Sequence, residues 1–168
     1  MFIEIKSMLP RKIIAAVIAG SLFAVLFGLI RPNPFGSIAS LSEYFSAFLI
    51  TTPVYLLYSF PVIFIYGSST SIISDLLSRR IARKWFVNKE VFISGILHLL
   101  FGLILLWISL LAALIYFIVD RLLDRKETVY RWRMALKSLI IPPLLWIVFM
   151  LIISFIDFIE NWQDYIVN

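Results

Sequence analysis

Residues 13–30 read IIAAVIAGSLFAVLFGLI, a run without a single charged side chain. A helix rises about 1.5 Å per residue, so this run nearly covers the roughly 30 Å hydrocarbon core of a bilayer. Arg11 and Lys12 precede the run and Arg31 follows it, as expected for charges that sit among lipid headgroups. The competing interpretation is a signal peptide, but the apolar region of such signals is only about 7–15 residues long. The stretch therefore predicts a membrane-spanning helix.

The composition of the whole chain agrees with a lipid environment. The protein has 168 residues, of which 62% are hydrophobic and 15% charged, and its mean hydropathy is +1.00. Soluble domains carry about 25% charged residues, and a small soluble protein has too much surface to hide so much apolar area. No shift in composition divides the chain, so residues 1–168 are predicted to form a single integral membrane domain, located as a multi-pass protein of the cell membrane.

Three further apolar stretches follow the first, at about 44–73, 91–119 and 138–156. Together they predict an all-α fold, a multi-pass transmembrane helical bundle of about four spans. Pro53 and Pro61 remove hydrogen bonds from the second stretch and should kink it. The third, Val91 to Val119, is longer than one perpendicular crossing needs, which favours a tilted helix. The alternative is that it dips into the bilayer and returns, although no Gly or Pro lies at its middle.

The segments between the stretches predict short interfacial amphipathic helices. Leu77, Ile81 and Trp85 recur every four residues, as on one face of a helix that lies along the bilayer surface. The partners predicted for this segment are the lipid bilayer and its anionic headgroups, contacted through Arg79, Arg80, Arg83 and Lys84. An apolar stripe with acidic residues opposite it predicts a similar helix at the C-terminus, its apolar members being Phe155, Phe158, Ile159, Trp162 and Ile166.

The orientation of the chain is not decided by its basic residues. Cytoplasmic loops of membrane proteins are rich in Lys and Arg, but four spans would place eight of these residues on one side and seven on the other. The first helix has more basic residues before it than after it, which favours a cytoplasmic N-terminus. A return of the third stretch would instead put both basic connections on one side.

The first helix carries a stripe of small residues at four-residue spacing: Ala16, Gly20, Ala24 and Gly28. Helices in lipid associate by close packing, and small residues let their backbones approach. The stripe is therefore predicted to pack on another helix, either of this chain or of a second copy.

The second stretch ends in a polar patch that includes Gly67, Ser71, Ser74 and Asp75, which share one helical face. Hydroxyls and a carboxylate beside a flexible glycine could form an ion or small-solute site at the end of a kinked helix. The alternative is a packing face in which the hydroxyls bond to backbone carbonyls and Asp75 pairs with Arg79.

The run from Pro61 through Gly67 to Asp75 resembles a pattern found in small uncharacterised four-span membrane proteins of Bacillus and related Gram-positive bacteria. The resemblance covers about the first two spans. It implies a four-helix bacterial membrane protein and carries no assigned activity, so it assigns no catalytic residue.

His98 is the single histidine of the chain and lies inside the third stretch. A titratable group within a membrane helix is a functional candidate, although an imidazole bonded to a neighbouring helix would be merely structural. No carboxylate is expected inside any span, which leaves a proton relay without a second member. The chain has no cysteine, no zinc-helix motif and no phosphate-binding glycine loop, so no catalytic residue, metal or cofactor is predicted.

These features favour a non-catalytic integral membrane protein that acts by helix–helix contact, either with its own copies or with another membrane protein, as an accessory, immunity or stress-type factor. The alternative is a subunit of a small solute or ion transporter or channel that uses the kinked second helix. Nucleic acid is not an expected partner, because no segment outside the spans is long enough to form a basic face.

Overall fold

The computed structural model describes the backbone of residues 2–85, 89–104, 106–126 and 128–167, and the side chains of 8–83, 89–104, 107–126 and 128–162. Within these ranges every regular element is helical. The elements are α1 (Phe2–Ile30), α2 (Leu41–Val62), a π-helical segment (Ile63–Gly67), α3 (Ser68–Trp85), α4 (Glu90–Leu103), α5 (Leu106–Asp124), α6 (Trp132–Ser138) and α7 (Ile141–Val167).

Helix α1 is the centre of the bundle and begins well before its predicted start. It ends at Ile30 as predicted, where the sequence Arg31-Pro32 disfavours further helical turns. At its other end it continues back to Phe2 through Pro10, so Arg11 and Lys12 lie inside the helix. Its Ala15, Ala19 and Phe23 form the core of the protein together with residues of α5 and the π-helical segment.

The small-residue stripe of α1 packs within the same chain. Ala16, Gly20, Ala24 and Gly28 are all buried. A methyl group added at Gly20 would lie 2.9 Å from the Phe60 ring of α2, and one added at Gly28 would overlap the Thr52 hydroxyl of the same helix. The two glycines therefore set the close approach of α1 and α2.

Helices α2 and α3 form one continuous rod, joined by the π-helical segment. Ser40 caps its start by accepting a hydrogen bond from the Glu43 backbone N–H at 3.1 Å. Both residues that flank the π-helical segment, Val62 and Ser68, keep helical backbone angles. The wider turn follows Pro61, which has no backbone N–H to donate. The predicted break between the second span and a separate surface helix is therefore absent from the described residues.

The rod turns its polar face, not its apolar one, toward the bundle. Leu77 and Ile81 are exposed, whereas Ser71, Ser74 and Asp75 are buried. The side chains of Lys84 and Trp85, which the surface-helix prediction also used, fall outside the described residues.

The third apolar stretch folds as a helical hairpin, so the prediction of one tilted helix is wrong. A methyl group added at Gly102 of α4 would lie 2.6 Å from the Ala113 methyl of α5, and one added at Gly95 would lie 2.9 Å from the Phe117 ring. The earlier residue of α4, Gly95, meets the later residue of α5, Phe117, so the two helices run antiparallel. The two residues that connect α4 and α5 include no Gly or Pro, and Gly95 and Gly102 contribute instead by letting the two helices pack closely.

Helix α7 carries the fourth apolar stretch and is the outermost helix. Pro142 and Pro143 lie in its first turn, where the fixed φ and the missing N–H of proline suit the start of a helix. It packs on α2 through Phe149, whose ring meets the Phe48 ring edge-to-face with the two ring centroids 5.7 Å apart. The predicted C-terminal helix is a continuation of α7, which has a kink at Asn161. Of the five apolar residues in its predicted stripe, Ile166 alone has a side chain outside the described residues.

By length and composition, three helical stretches could cross a membrane: Met8–Ile30, Leu41–Arg83 and Trp132–Trp162. The apolar helix Glu90–Leu103 is shorter. At about 1.5 Å per residue it reaches roughly 21 Å, less than the ~30 Å of a hydrocarbon core. The hairpin is thus too short on its α4 side to cross a bilayer completely.

Candidate functional site

A cluster of charged side chains lies among α1, α3 and α5, and we call it the charge cluster. Its centre is Lys12, which is fully buried. The Lys12 ammonium donates to Asp75 Oδ2 at 2.6 Å, Asp120 Oδ2 at 2.7 Å and Ser71 Oγ at 2.7 Å. These three acceptors use all three donors of the ammonium group.

Two arginines complete the cluster. Arg11 Nε lies 3.2 Å from Asp120 Oδ1, and the guanidinium also pairs with Asp124. Arg121 pairs with Asp75, and its Nη2 lies 3.5 Å from Asp120 Oδ2. The cluster therefore balances three cations (Arg11, Lys12, Arg121) against three carboxylates (Asp75, Asp120, Asp124).

Polar side chains tie the hairpin to this cluster. Ser94 of α4 donates to Asp75 Oδ1 at 2.6 Å. Tyr116 of α5 donates to the Lys12 carbonyl at 2.9 Å, inside α1. Because a buried charge is tolerated only when it is paired and hydrogen-bonded, these contacts fix the relative positions of α1, α3, α4 and α5.

The charge cluster overturns two expectations from the sequence. Arg11 and Lys12 face into the bundle and not toward headgroups. Asp75 pairs with Lys12 and Arg121, whereas Arg79 pairs with Glu90, its Nε lying 3.1 Å from Oε1. Asp75 and Asp120 lie just outside the predicted spans, yet both are buried in the bundle.

The five residues predicted as a polar site are only partly brought together. Ser71 and Asp75 both bind Lys12. Ser74 is buried next to them, but its hydroxyl has no hydrogen-bond partner in the described part of the chain. Gly67 and His98 both lie beside the Tyr116 ring and make no direct contact with Lys12; the imidazole centroid is 5.3 Å from the centroid of that ring.

The sequence contained a signal for the missing members of the cluster. Tyr116, Asp120 and Asp124 are spaced four residues apart and therefore share one helical face, which also carries the buried Ala112. Acidic residues on the same helical face as buried apolar residues indicate that basic residues of a neighbouring helix pair with them. Asp120 directly follows the last apolar residue of the third stretch and for that reason looked like the end of a span.

A cavity of about 440 Å³ lies beside the cluster, between α1, α2 and the hairpin, and we call it the lateral cavity. Its lining is mostly aromatic and aliphatic. The lining residues are Phe23, Phe27, Tyr55, Tyr58, Ser59, Val62, Ile63, Tyr66, Gly67, Thr70, His98, Gly102, Ile108, Ser109, Ala112, Ala113 and Tyr116. Tyr116 thus borders the cavity with its ring and reaches the charge cluster with its hydroxyl.

Two polar side chains of the lateral cavity lack hydrogen-bond partners. His98 is buried, and neither of its ring nitrogens has a partner among the described residues. The same holds for the Ser59 hydroxyl. Most of the other polar lining groups are satisfied internally; for example, Tyr66 donates to the Phe101 carbonyl at 2.8 Å.

Among the described residues, no group of three His, Asp or Glu side chains is arranged to hold a metal ion. Comparison of the chain with protein-family models, curated proteins and solved structures found no match. The resemblance to four-span membrane proteins of Gram-positive bacteria therefore stays a prediction.

Proposed function

We propose that the protein is a multi-pass integral membrane protein that binds a small, mainly apolar molecule in the lateral cavity and catalyses no reaction. The observation that carries this proposal is the cavity itself. Ligand sites are typically concave spaces of about 300–1,000 Å³ with apolar walls and a few polar groups. The lateral cavity has this size and this lining.

The outer surface of the bundle supports the membrane placement. Leu57 of α2, Leu100 of α4 and Leu151 of α7 are all exposed. Large apolar side chains on every outer helix would be unfavourable in water. They are the normal surface of a helix bundle in lipid, where backbone groups are satisfied within helices.

The hairpin supports a particular threading, with three crossings and one pair of helices that enters and returns. In this threading all of the 15 Lys and Arg residues except Arg31 lie on the same side as the N-terminus. That side is the cytoplasm by the rule that cytoplasmic loops are rich in Lys and Arg. Four spans would divide the Lys and Arg residues almost equally between the two sides. The hairpin removes this near tie, because the basic segments before and after it then lie on the same side.

One observation shifts the proposal from helix association toward a small ligand. The glycines of the small-residue stripe, which favours helix–helix contact, already pack on α2 of the same chain.

Photolabelling in nanodiscs tests the proposal. The probe is an uncharged aryl diazirine, which reacts with both lipid-facing and cavity-lining residues. Binding in the cavity predicts a saturable component of labelling that maps to the cavity walls, above a non-saturable component on the outer surface. Labelling that rises linearly with probe concentration at every residue would contradict the proposal.

A matched pair of variants locates the saturable component. Ser59→Phe places a ring in the lateral cavity and should abolish it. Leu57→Phe adds the same ring on the exposed side of α2 and should leave it unchanged. Circular dichroism and elution from a sizing column confirm that both variants remain folded.

A second candidate function is a carrier coupled to protons. It is favoured by the position of Tyr116, whose ring lines the lateral cavity and whose hydroxyl donates to the backbone carbonyl of Lys12, the central residue of the charge cluster. Intramembrane groups of this kind are common in proton relays. Purified protein in liposomes with a pH-sensitive dye inside should then show a proton flux that Asp75→Asn removes, and equal leak with and without protein would exclude this candidate.

A further inference from the structure

The volume of the lateral cavity limits the size of its ligand. An engineered cavity of roughly 150 Å³ holds one benzene ring. The lateral cavity, at about 440 Å³, is about three times as large, and on this scale it accommodates roughly 18 carbon atoms. This is the size of one acyl or prenyl chain and is too small for a two-chain phospholipid.

The exposure of the lining indicates how such a chain enters. Tyr58 and Ile108 are 74% and 52% exposed and form the mouth between α2 and α5. Phe23 and Tyr116 are 3% and 1% exposed and form the deep wall. The mouth therefore opens sideways from the bundle, toward the acyl chains of the surrounding lipid.

The electrostatics of the lining exclude a charged group at the deep end of the cavity. No lining residue carries a permanent charge. The charged groups near His98 belong to the charge cluster, where cations and carboxylates already neutralise one another, whereas Arg31 lies elsewhere, near Tyr55, whose hydroxyl donates to the Arg31 carbonyl at 2.8 Å. Burying an additional unpaired charge beside His98 would cost several kcal/mol or more, so a polar group that reaches His98 must be neutral.

His98 supplies the matching polar group. A neutral imidazole has one N–H donor and one acceptor nitrogen, and a hydroxyl group likewise both donates and accepts. His98 borders the cavity and both of its ring nitrogens are buried; a half-turn of the ring places nitrogen atoms where its carbon atoms lie. The pairing would satisfy an imidazole that has no partner elsewhere in the described residues.

From these constraints we infer that the lateral cavity selects an uncharged single-chain amphiphile, a long-chain alcohol of about 16–18 carbon atoms, whose hydroxyl group binds His98. This inference rests on the proposed function and adds the chemical class of the ligand. The chain would lie against the aromatic and aliphatic walls, and the hydroxyl would be the only polar contact at the deep end.

Competition among three matched compounds tests the inference. Saturable labelling of the cavity by the uncharged aryl diazirine is measured in nanodiscs with increasing hexadecanol, hexadecanoic acid or hexadecane. Hexadecanol should compete best, by about 2- to 10-fold over hexadecane, which is the value of one net hydrogen bond. Hexadecanoic acid should compete least, because it must lose its charge to enter.

Two variants separate the role of His98 from a structural one. His98→Phe keeps a flat ring beside Tyr116 and Phe117 but removes both nitrogens, so it should erase the advantage of the alcohol over the alkane and leave labelling intact. His98→Gln retains a donor and an acceptor and should restore part of that advantage.

Each outcome decides one claim. Equal competition by alcohol and alkane, or stronger competition by the acid, overturns the ligand class while the cavity remains a binding site. An advantage of the alcohol that persists in His98→Phe overturns the role of His98. The absence of saturable labelling in the unmodified protein overturns the proposed function together with the inference.

Discussion

Replacing Lys12 with Met should strongly destabilise the protein. Met is a long, unbranched side chain that fills much of the same space without the charge. The change removes the ammonium group that lies 2.6 Å from Asp75 and 2.7 Å from Asp120. Arg121 and Arg11 still pair with these carboxylates, but the cluster is left with one uncompensated negative charge away from water.

The size of the stability loss follows from the buried carboxylate that Lys12→Met leaves without its cation. Removing one partner of a buried ion pair typically costs about 3–5 kcal/mol. Small proteins have a free energy of unfolding of about 5–15 kcal/mol, so Lys12→Met should remove a large share of it. Unfolding by sodium dodecyl sulfate in mixed micelles, followed by tryptophan fluorescence and circular dichroism, measures this loss.

Two further variants make the result interpretable. Lys137→Met removes an exposed lysine of α6 and should change the free energy of unfolding by no more than about 0.5 kcal/mol. The double variant Lys12→Met with Asp120→Asn restores the balance of charges and should be more stable than the sum of the single effects, by about 0.5–3 kcal/mol. Equal stability of the Lys12 and Lys137 variants, or strict additivity in the double variant, would refute the reasoning.

Three other predictions test the packing and the threading. Gly28→Leu should lower the free energy of unfolding by about 1–3 kcal/mol in the same assay, because its Cβ overlaps the Thr52 hydroxyl; a neutral effect would mean that α1 and α2 are less tightly packed. Gly102→Leu should separate the two hairpin helices, since even a Cβ lies 2.6 Å from the Ala113 methyl, and hydrogen exchange of α4 amides should rise; unchanged exchange would argue against the hairpin. Single cysteines at Asn33 and Thr128 should be labelled from outside the cell at Asn33 alone, and external labelling of Thr128 would contradict the proposed threading.

Much of the fold could be predicted because length and composition determine which stretches are apolar helices. The end of α1 at Ile30 and the start of α7 beside Pro142 follow from local chemistry, namely proline geometry. The hairpin could not be predicted in the same way. The connection between α4 and α5 has no Gly or Pro, and the stability of the hairpin depends on the contact of Gly102 with Ala113, which only the tertiary structure reveals.

The candidate site was predictable in part for a related reason. Ser71 and Asp75 share a helical face by spacing alone, and the structure places both on one ammonium group. That group belongs to Lys12, which looked like a headgroup contact because it precedes an apolar run. Whether charged residues at the edge of an apolar stretch face headgroups or face one another depends on how far the helix extends. Helix α1 begins at Phe2, about three turns before the start that its apolar pattern predicts.

The spacing of the charge cluster along the chain has a consequence for biosynthesis. Asp75 and Asp120 follow Lys12 by 63 and 108 residues, and ribosomes add about 5–20 residues per second. The first helix must therefore wait roughly 5–20 s in the insertion machinery or at the bilayer edge before its last carboxylate partner is made. A polypeptide truncated before α3 would leave this ammonium group without either carboxylate partner, a mark by which quality-control proteases could recognise an unfinished chain.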